Sequence, residues 1–262
     1  MTYSKQIKNL IINADDFGWD VDTCQATIEC MEAGSVTSAT IMTGRPASEM
    51  AYEYARNNSN RFSFGLHFNI VDGHSPLSSI GSSLIESKNF TFRQSNKQRI
   101  KALTWQLKAS QIAQELEAQL MELKNNGILA SHIDSHGHLH KFPSIFMAIK
   151  PILKKNNINY VRRPQNLYDN GFSLSTKIIN KFSSLFITDS AVTDNFLAIG
   201  NYEKNWLERT LNMIPIGTTE MAVHPGNMEK WRLSEKNSLT TSEFNRLIND
   251  LNIKLISYNE LK

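Results

Sequence analysis

The sequence predicts a parallel α/β fold in a single domain. Two observations support this prediction. Short apolar runs alternate with amphipathic stretches from one end of the chain to the other, and no repeat, low-complexity tract or clear linker divides it. At 262 residues the chain is long enough to bury a sizeable core, so residues 1–262 are interpreted as one domain.

Six apolar runs have the length and β-branched content of buried strands. In chain order they are 10–12, 62–66, 127–133, 158–161, 218–223 and 253–258. Four amphipathic stretches between them predict helices at 24–34, 111–127, 144–157 and 242–252, and several of these end in Gly or Asn. Two regions of weak periodicity, 72–105 and 165–196, are expected to be long loop excursions that form lids or substrate walls.

The composition argues against several classes of partner. Lys and Arg number 28 and Asp and Glu 25, and a net charge of +3 is too small to indicate nucleic acid or an anionic membrane. The N-terminal stretch is too polar for a signal peptide or a membrane span, so we expect a cytoplasmic protein. Cys24 and Cys30 lie six apart in a predicted helix and are expected to be ordinary thiols.

Ionisable side chains follow four predicted strands at the point where each strand ends. In chain order these residues are Asp15 and Asp16, His67, Arg162 and Arg163, and His224. Because the carboxyl ends of parallel strands converge on one face, we expect these groups to lie close together.

Residues 131–143, SHIDSHGHLHKFP, hold four of the chain's seven histidines. The histidines and one aspartate of this run are spaced two residues apart: His132, Asp134, His136, His138 and His140. The spacing suits either one face of a helix or one face of a strand. Gly137 within the run and Pro143 at its end favour a strand, then a loop, then a helix.

A carboxylate pair and two separate sources of imidazole supply what a divalent ion needs, with a position left for water. A structural zinc site would be closed by four ligands and rich in cysteine, and neither cysteine lies near these motifs. The residues therefore predict a catalytic metal, with one carboxylate of the pair as ligand and its neighbour free as a base.

Five motifs resemble one known family. NADDFG at 13–18, GLHFNI at 65–70, SHIDSHGHLHKFP at 131–143, VRRP at 161–164 and EMAVHPGN at 220–227 are similar in order and spacing to the motifs of the YdjC-like carbohydrate deacetylases. VTSATIM and IKLISYNEL extend the match across nearly the whole chain, whereas 165–217 carries little resemblance. The resemblance implies a distorted (β/α) barrel of fewer than eight parallel strands, which removes the acetyl group from an N-acetylated amino sugar.

The resemblance also implies roles for single residues. The metal ligands would be Asp16, His67 and His136. Asp15 would be the free carboxylate that acts as base, and His224 would be the histidine on the opposite side of the site. The family implies one divalent ion, Mg²⁺, with Zn²⁺ or another transition metal as the alternative.

The other polar residues of the motifs are assigned to the surroundings of this site. His132 and Asp134 would orient the ligating imidazoles, and His138 and His140 would line the sugar site. Either Arg162 or Arg163 would hold Asp15 by charge pairing, the alternative being a solvated surface pair.

Three departures from the family's pattern affect the pocket wall: Trp19, Cys24 and Gly137 stand where an aliphatic residue, an asparagine and a histidine are usual. They bear on the substrate rather than on the reaction. Two other classes are weighed, a phosphoesterase that uses the same histidines and a non-catalytic sugar-binding relative. The expected partner is a small acetylated sugar, without nucleic acid or membrane, and a homo-oligomer is left open.

Overall fold

The computed structural model describes residues 7–79, 83–169, 172–187, 190–203 and 205–261. The strands are β1 Lys8–Phe17, β2 Ser38–Ile41, β3 Ser63–Phe68, β4 Ile85–Glu86, β5 Thr91–Phe92, β6 His132–Ser135, β7 Tyr160–Val161, β8 Asn195–Ala198, β9 Gly217–Val223 and β10 Ile253–Leu255. The helices are α1 Val21–Glu32, α2 Ser48–Asn58, α3 Ser95–Leu103, α4 Ala109–Asn125, α5 Pro143–Lys155, α6 Leu174–Ser184, α7 Trp206–Asn212, α8 Lys230–Leu239 and α9 Ser242–Asp250.

The main sheet is parallel and curls into a distorted barrel. Seven strands follow one another around it in the order β7, β6, β3, β2, β1, β9, β8, and the short β10 pairs with the start of β1 at Lys8–Leu10. The two edges approach each other, because Tyr160 bridges to Ala191 and the backbone N–H of Leu167 donates to the carbonyl of Phe196. The expected α/β barrel with a circuit of fewer than eight parallel strands is confirmed.

Strand β1 carries both apolar and polar side chains in the buried part of the molecule. In β1 every residue from Leu10 to Phe17 is buried, as expected for a parallel strand that is covered on both faces. Leu10 and Ile12 belong to the large apolar cluster that also contains residues of α1, and Ile11 on the other face packs with Ile256 and Tyr258. The polar part begins at Asn13 and continues to Asp16, so buried polar groups collect where the strand ends. A polar cluster buried at the carboxyl ends of parallel strands is typical of a functional site.

The predicted elements differ from the observed ones mainly at their ends. The strand expected at 127–133 begins only at His132, because Gly127 adopts a φ of 75° and closes α4 in a turn. The helix expected at 144–157 begins one residue earlier, with Pro143 in its first turn. The short strands β2 and β8 and the helices α2, α7 and α8 were not predicted.

The two expected excursions contain regular structure. The segment 72–105 holds the antiparallel pair β4 and β5 and helix α3, and the segment 165–196 holds α6. Parts of both, at 80–82, 170–171 and 188–189, lie outside the described residues, as do residues 1–6 and 262 of the predicted domain. None of the described helices is long and apolar enough to cross a membrane.

Candidate metal centre and active site

Two neighbouring carboxylates reach the same site because β1 is irregular at its end. Successive side chains of a regular strand point to opposite faces of the sheet. Here the pairing of β1 with β2 shifts register between Ala14 and Phe17, and Asp16 has a φ of 60°. Such a bulge re-aims a side chain, so Asp15 and Asp16 both lie buried in the site, each 1% exposed.

Three side-chain atoms converge as the ligands of one ion would. Asp16 Oδ1 lies 2.8 Å from His136 Nδ1 and 3.3 Å from His67 Nε2, and the two nitrogens are 3.3 Å apart. Ligands bound at about 2.1 Å from one ion are themselves separated by about 3 Å. Asp15, His67 and Asp134 form a second group with metal-binding potential, which shares His67 with the first.

Each imidazole of the first group has a carboxylate behind it. His67 Nδ1 lies 2.8 Å from Asp134 Oδ1, and His136 Nε2 lies 3.5 Å from Asp72 Oδ2. In a neutral imidazole, an N–H directed at a carboxylate leaves a free lone pair on the other ring nitrogen. In both rings this other nitrogen faces Asp16. Asp134 Oδ1 thus lies behind the His67 ring, at a distance from which it would orient that imidazole.

The charges around this group also suit a divalent ion. Four buried carboxylates, those of Asp15, Asp16, Asp134 and Glu220, share two guanidinium partners, Arg162 and Arg232. Burial opposes the imidazolium form of His67, yet Asp134 and Asp16 raise the pKa of His67 to about 10. The neighbouring Asp16 likewise raises the pKa of His136 against the effect of burial. The same carboxylates that favour a proton on these two imidazoles would favour a doubly charged ion between them.

Arg162 holds Asp15 in a bidentate ion pair. Its Nη1 and Nη2 lie 2.7 Å from the two carboxylate oxygens of Asp15, and the guanidinium is completely buried. It also contacts Asp134 at 2.6 Å and Glu220 at 2.8 Å. Burial would raise the pKa of Asp15, but Arg162 outweighs it and holds that pKa well below its ordinary range. Arg163 instead donates to the main-chain carbonyls of residues 193 and 194.

His224 lies beside Asp15. Its Nε2 lies 3.8 Å from Asp15 Oδ2, and 25% of its side chain is exposed. The ring packs edge-on against Trp231 at a centroid distance of 5.5 Å. Burial lowers the pKa of His224, so its imidazole is neutral at neutral pH.

His132 is placed differently from the other histidines of the 131–143 run. It is completely buried, stacks on Tyr258 at 3.7 Å and lies 3.1 Å from Asn13 Oδ1 through its Nε2. Asn13 in turn donates to Asp15 at 2.9 Å. His132 thus supports Asp15 through one intermediate residue and is not in contact with the two candidate ligand histidines.

His138 and His140 line a cavity of about 590 Å³ that meets the site at His224. Gly137 and His138 have φ values of 63° and 55°, which turn the chain out of β6 and towards this cavity. His140 is held between the Ser135 hydroxyl, at 2.7 Å, and the carbonyl of Arg162, at 3.0 Å. His224 belongs to both the cavity wall and the site.

Several residues of the site were not identified from the sequence. Arg232 donates to Asp16 Oδ2 at 2.7 Å, on the side away from the histidines. Asp72 contacts His136, and the Tyr258 hydroxyl donates to Glu220 at 2.7 Å. The one available signal was Glu220, a carboxylate in the apolar run at 218–223 of a predicted central strand.

Two of the three departures noted in the sequence lie at the site. The Trp19 ring packs against His136 at 5.3 Å and lies under the guanidinium of Arg45 at 4.3 Å. The Gly137 carbonyl accepts a hydrogen bond of 2.8 Å from Arg99, a cavity-lining residue. Cys24 and its neighbour Cys30 are free and buried, which agrees with ordinary thiols.

Comparison with known proteins places the chain in a family. The model of the YdjC-like protein family matches residues 9–250. A carbohydrate deacetylase of Brevibacillus brevis is 28% identical over 254 residues, which cover 96% of this chain and 99% of the relative. A carbohydrate deacetylase of Geobacillus stearothermophilus is 31% identical over 193 residues, 72% of this chain and 71% of the relative.

The fold is also found in a solved structure. A crystal structure of a candidate cellobiose-phosphate cleavage protein of Enterococcus faecalis V583 superposes with a TM-score of 0.77 at 23% identity, covering 97% of this chain and 98% of that protein. This similarity concerns the fold. Because the family model spans most of the barrel and its site, the chain belongs to the YdjC-like family.

Proposed function

We propose that the protein is a metal-dependent carbohydrate deacetylase, which hydrolyses the N-acetyl group of an acetylated amino sugar to acetate and a free amine. The observation that carries this proposal is that two adjacent carboxylates have different partners. Asp16 joins His67 and His136 in a group of three potential ligands, whereas Asp15 is held apart by Arg162. The names of the family's relatives support the same reaction.

Asp16, His67 and His136 would hold the ion. When bound, a divalent ion supplies Lewis acidity towards the amide carbonyl and the attacking water. Mg²⁺, which the family resemblance implies, prefers oxygen ligands, whereas a donor set of two imidazoles and one carboxylate also suits Zn²⁺ and other transition metals. Both kinds of ion therefore belong in the assay.

Asp15 would accept the proton of the attacking water. Its carboxylate stays ionised, because the bidentate contact with Arg162 holds the pKa of Asp15 well below its ordinary range. The same contact fixes the orientation of the carboxylate before substrate arrives, which removes a reorganisation cost from the reaction.

His224 would deliver a proton to the departing amine. An amine leaves an amide only when it is protonated, so a donor is needed on the side opposite the attacking water. His224 is neutral before the reaction, and its Nε2 lies 3.8 Å from Asp15 Oδ2. The proton that Asp15 accepts would pass to His224 through one water or after the two side chains move closer, and then to the nitrogen. The cavity beside His224 would hold the sugar.

Acetate release tests the proposal. We would incubate the purified protein with N-acetylglucosamine oligomers and related acetylated sugars, and separately with a phosphoester, in the presence of Mg²⁺ or Zn²⁺. We expect acetate from at least one acetylated sugar and no phosphate. Turnover of the phosphoester without any release of acetate would refute the deacetylase proposal.

The affinity for a divalent ion is expected to increase with pH. His67 must lose its proton to bind an ion, and its pKa is raised to about 10, so the ion competes with a proton throughout the range from pH 6 to 9. Each proton released strengthens binding by up to about tenfold per pH unit. Titration calorimetry with Zn²⁺ at three pH values measures this slope, and an affinity independent of pH would contradict it.

Asp72→Asn is expected to weaken metal binding by about 10- to 100-fold, because it weakens the contact that orients His136. Glu86→Gln is the matched control, since Glu86 is an acid of the same excursion that pairs with Lys97 at 3.2 Å. The dissociation constant for Zn²⁺ should change in the first variant alone. Equal dissociation constants for Zn²⁺ in the two variants would show that Asp72 does not contribute to metal binding.

A further inference from the structure

Glu235 is a buried carboxylate that contacts two different parts of the site. It lies on α8 and is inaccessible to solvent. Its Oε1 accepts a hydrogen bond of 2.5 Å from the Tyr202 hydroxyl, and its Oε2 accepts one from the backbone N–H of His224. Tyr202 and His224 both line the cavity of about 590 Å³. The proposed reaction assigns no role to Glu235.

We propose that Glu235 is a positioning residue for this site. One carboxylate oxygen fixes the main chain that carries His224, and the other sets the direction in which Tyr202 presents its hydroxyl proton. The inference builds on the proposed role of His224 in deacetylation. It does not depend on which metal ion is bound.

The surroundings of Glu235 bring its pKa close to neutral, so both its ionised and its protonated form are populated near pH 7. Burial raises the pKa of Glu235 to about 7, although hydrogen bonds from Tyr202 and His224 lower it. The other charged or titratable groups that act on it are Arg232 on the same helix and Asp15 on β1. The Cys30 thiol on α1, which packs against α8, has its pKa raised chiefly by burial, and Glu235 adds to the same effect.

The two states differ in what Tyr202 can do. Ionised Glu235 accepts from both the Tyr202 hydroxyl and the His224 N–H. A proton cannot lie between Oε2 and His224, because an amide N–H has no lone pair to accept it. The proton must therefore sit on Oε1 and be donated to the Tyr202 oxygen. The proton of Tyr202 then turns away, and a sugar hydroxyl at this wall meets a donor where it previously met an acceptor.

His224 keeps its hydrogen bond in both states, but with different strength. A hydrogen bond to an ionised carboxylate is about twice as strong as one to a neutral acceptor. Trp231, which follows the first residue of α8, packs against both His224 and Tyr202 at centroid distances of 5.5 and 5.9 Å. Protonation of Glu235 therefore changes the hydroxyl at the cavity wall and loosens the backbone of His224, while the packing remains.

Three variants separate these effects. Glu235→Gln reproduces the protonated state permanently, because its amide oxygen can accept from His224 while its NH₂ group donates to the Tyr202 oxygen. Tyr202→Phe removes the hydroxyl and leaves the bond to His224. Glu243→Gln is the matched control, since the side chain of Glu243 on α9 is 66% exposed.

The backbone amide of His224 reports the state of Glu235 without any substrate. With ¹⁵N-histidine labelling the spectrum contains the amides of seven histidines, and His224→Gln identifies the required signal. Between pH 5.5 and 8.5 we expect the His224 amide proton to shift with a midpoint near neutral pH in the wild type and in Glu243→Gln, and to lose that transition in Glu235→Gln. A wild-type signal that does not titrate, or the same midpoint in Glu235→Gln, would overturn the proposal.

Thermal unfolding provides an independent measurement. The pKa of Glu235 is raised on folding from 4.5 to about 7, so its contribution to stability is full below the unfolded value and is lost as pH rises through the folded one. Glu235→Gln lacks this loss, and its Tm relative to the wild type should rise by about 5 °C between pH 5 and 8. A constant difference in Tm would contradict a titrating Glu235.

Kinetics tests the link to the reaction. Tyr202→Phe is expected to change KM for an acetylated sugar by roughly two- to tenfold, the effect of one hydrogen bond, with kcat nearly unchanged. In the wild type, protonation of Glu235 should make KM change with pH around neutrality. Glu235→Gln should abolish this dependence of KM on pH. If the wild type releases no acetate, the proposed function fails, and the amide titration and the Tm series still decide the state of Glu235.

Discussion

Replacing Asp15 with asparagine is expected to reduce turnover by about 10²- to 10⁴-fold while the bound metal ion is retained. Asn is nearly isosteric with Asp but cannot accept a proton from water. The ligand group of Asp16, His67 and His136 is untouched by the change. The measurements are kcat for acetate release and metal content by mass spectrometry on the same preparation.

Asp16→Asn is the matched control, because it alters the neighbouring carboxylate on the same strand. It should lose the metal ion first and activity as a consequence. The opposite result, in which Asp15→Asn loses the ion and Asp16→Asn keeps it, would exchange the two roles. The second candidate group, Asp15, His67 and Asp134, would then be the metal centre.

Replacing Arg162 with methionine is expected to lower the free energy of unfolding by about 3–5 kcal/mol. Arg162 is completely buried and contacts three carboxylates, those of Asp15, Asp134 and Glu220. Its removal deprives these acids of the guanidinium that they share, in a medium that solvates charge poorly. Urea denaturation at pH 7.5, analysed by linear extrapolation, measures the change.

The adjacent residue provides the control for this second prediction. Arg163→Met removes the same type of side chain, but Arg163 is partly exposed and, within the described part of the chain, donates to main-chain carbonyls. We expect Arg163→Met to cost about 1 kcal/mol, the usual value of a hydrogen bond. Equal losses in the two variants would mean that the buried ion pairs contribute no more than the packing of the aliphatic chain.

Much of the fold and the centre of the site could be predicted from the sequence. Parallel strands buried on both faces produce apolar runs, and those runs mark β1, β3, β6, β7, β9 and β10. The residues directly after such runs must lie at one end of the barrel. This geometry brings Asp16, His67 and His136 within 3.3 Å of one another although they are far apart in the chain.

The position of His132 could not be read from its spacing. Residues two apart on a strand point to the same face, so His132 and Asp134 were both expected beside the ligand histidines. Two residues of a strand also span about 7 Å along its axis, which places His132 one layer deeper in the barrel. There it stacks on Tyr258 and contacts Asn13.

The residues from α8 were missed for a different reason. Arg232 and Glu235 belong to a helix whose sequence, KWRLSEKNSL, has few apolar residues to reveal its buried face. Their roles depend on how this helix is placed by its packing against α1 and α9. Neither position is specified by a local pattern, so only the tertiary structure places these two charges beside Asp16 and His224.

The central claim is that one divalent ion, held by Asp16, His67 and His136, supports deacetylation with Asp15 as the base. Its most direct test is to remove all metal with a chelator and restore acetate release by adding back Zn²⁺ or Mg²⁺ in measured equivalents. We expect no activity in the metal-free protein and full recovery at one equivalent of a tightly bound ion per chain. Activity that survives complete removal of metal, or that requires two equivalents, would contradict it.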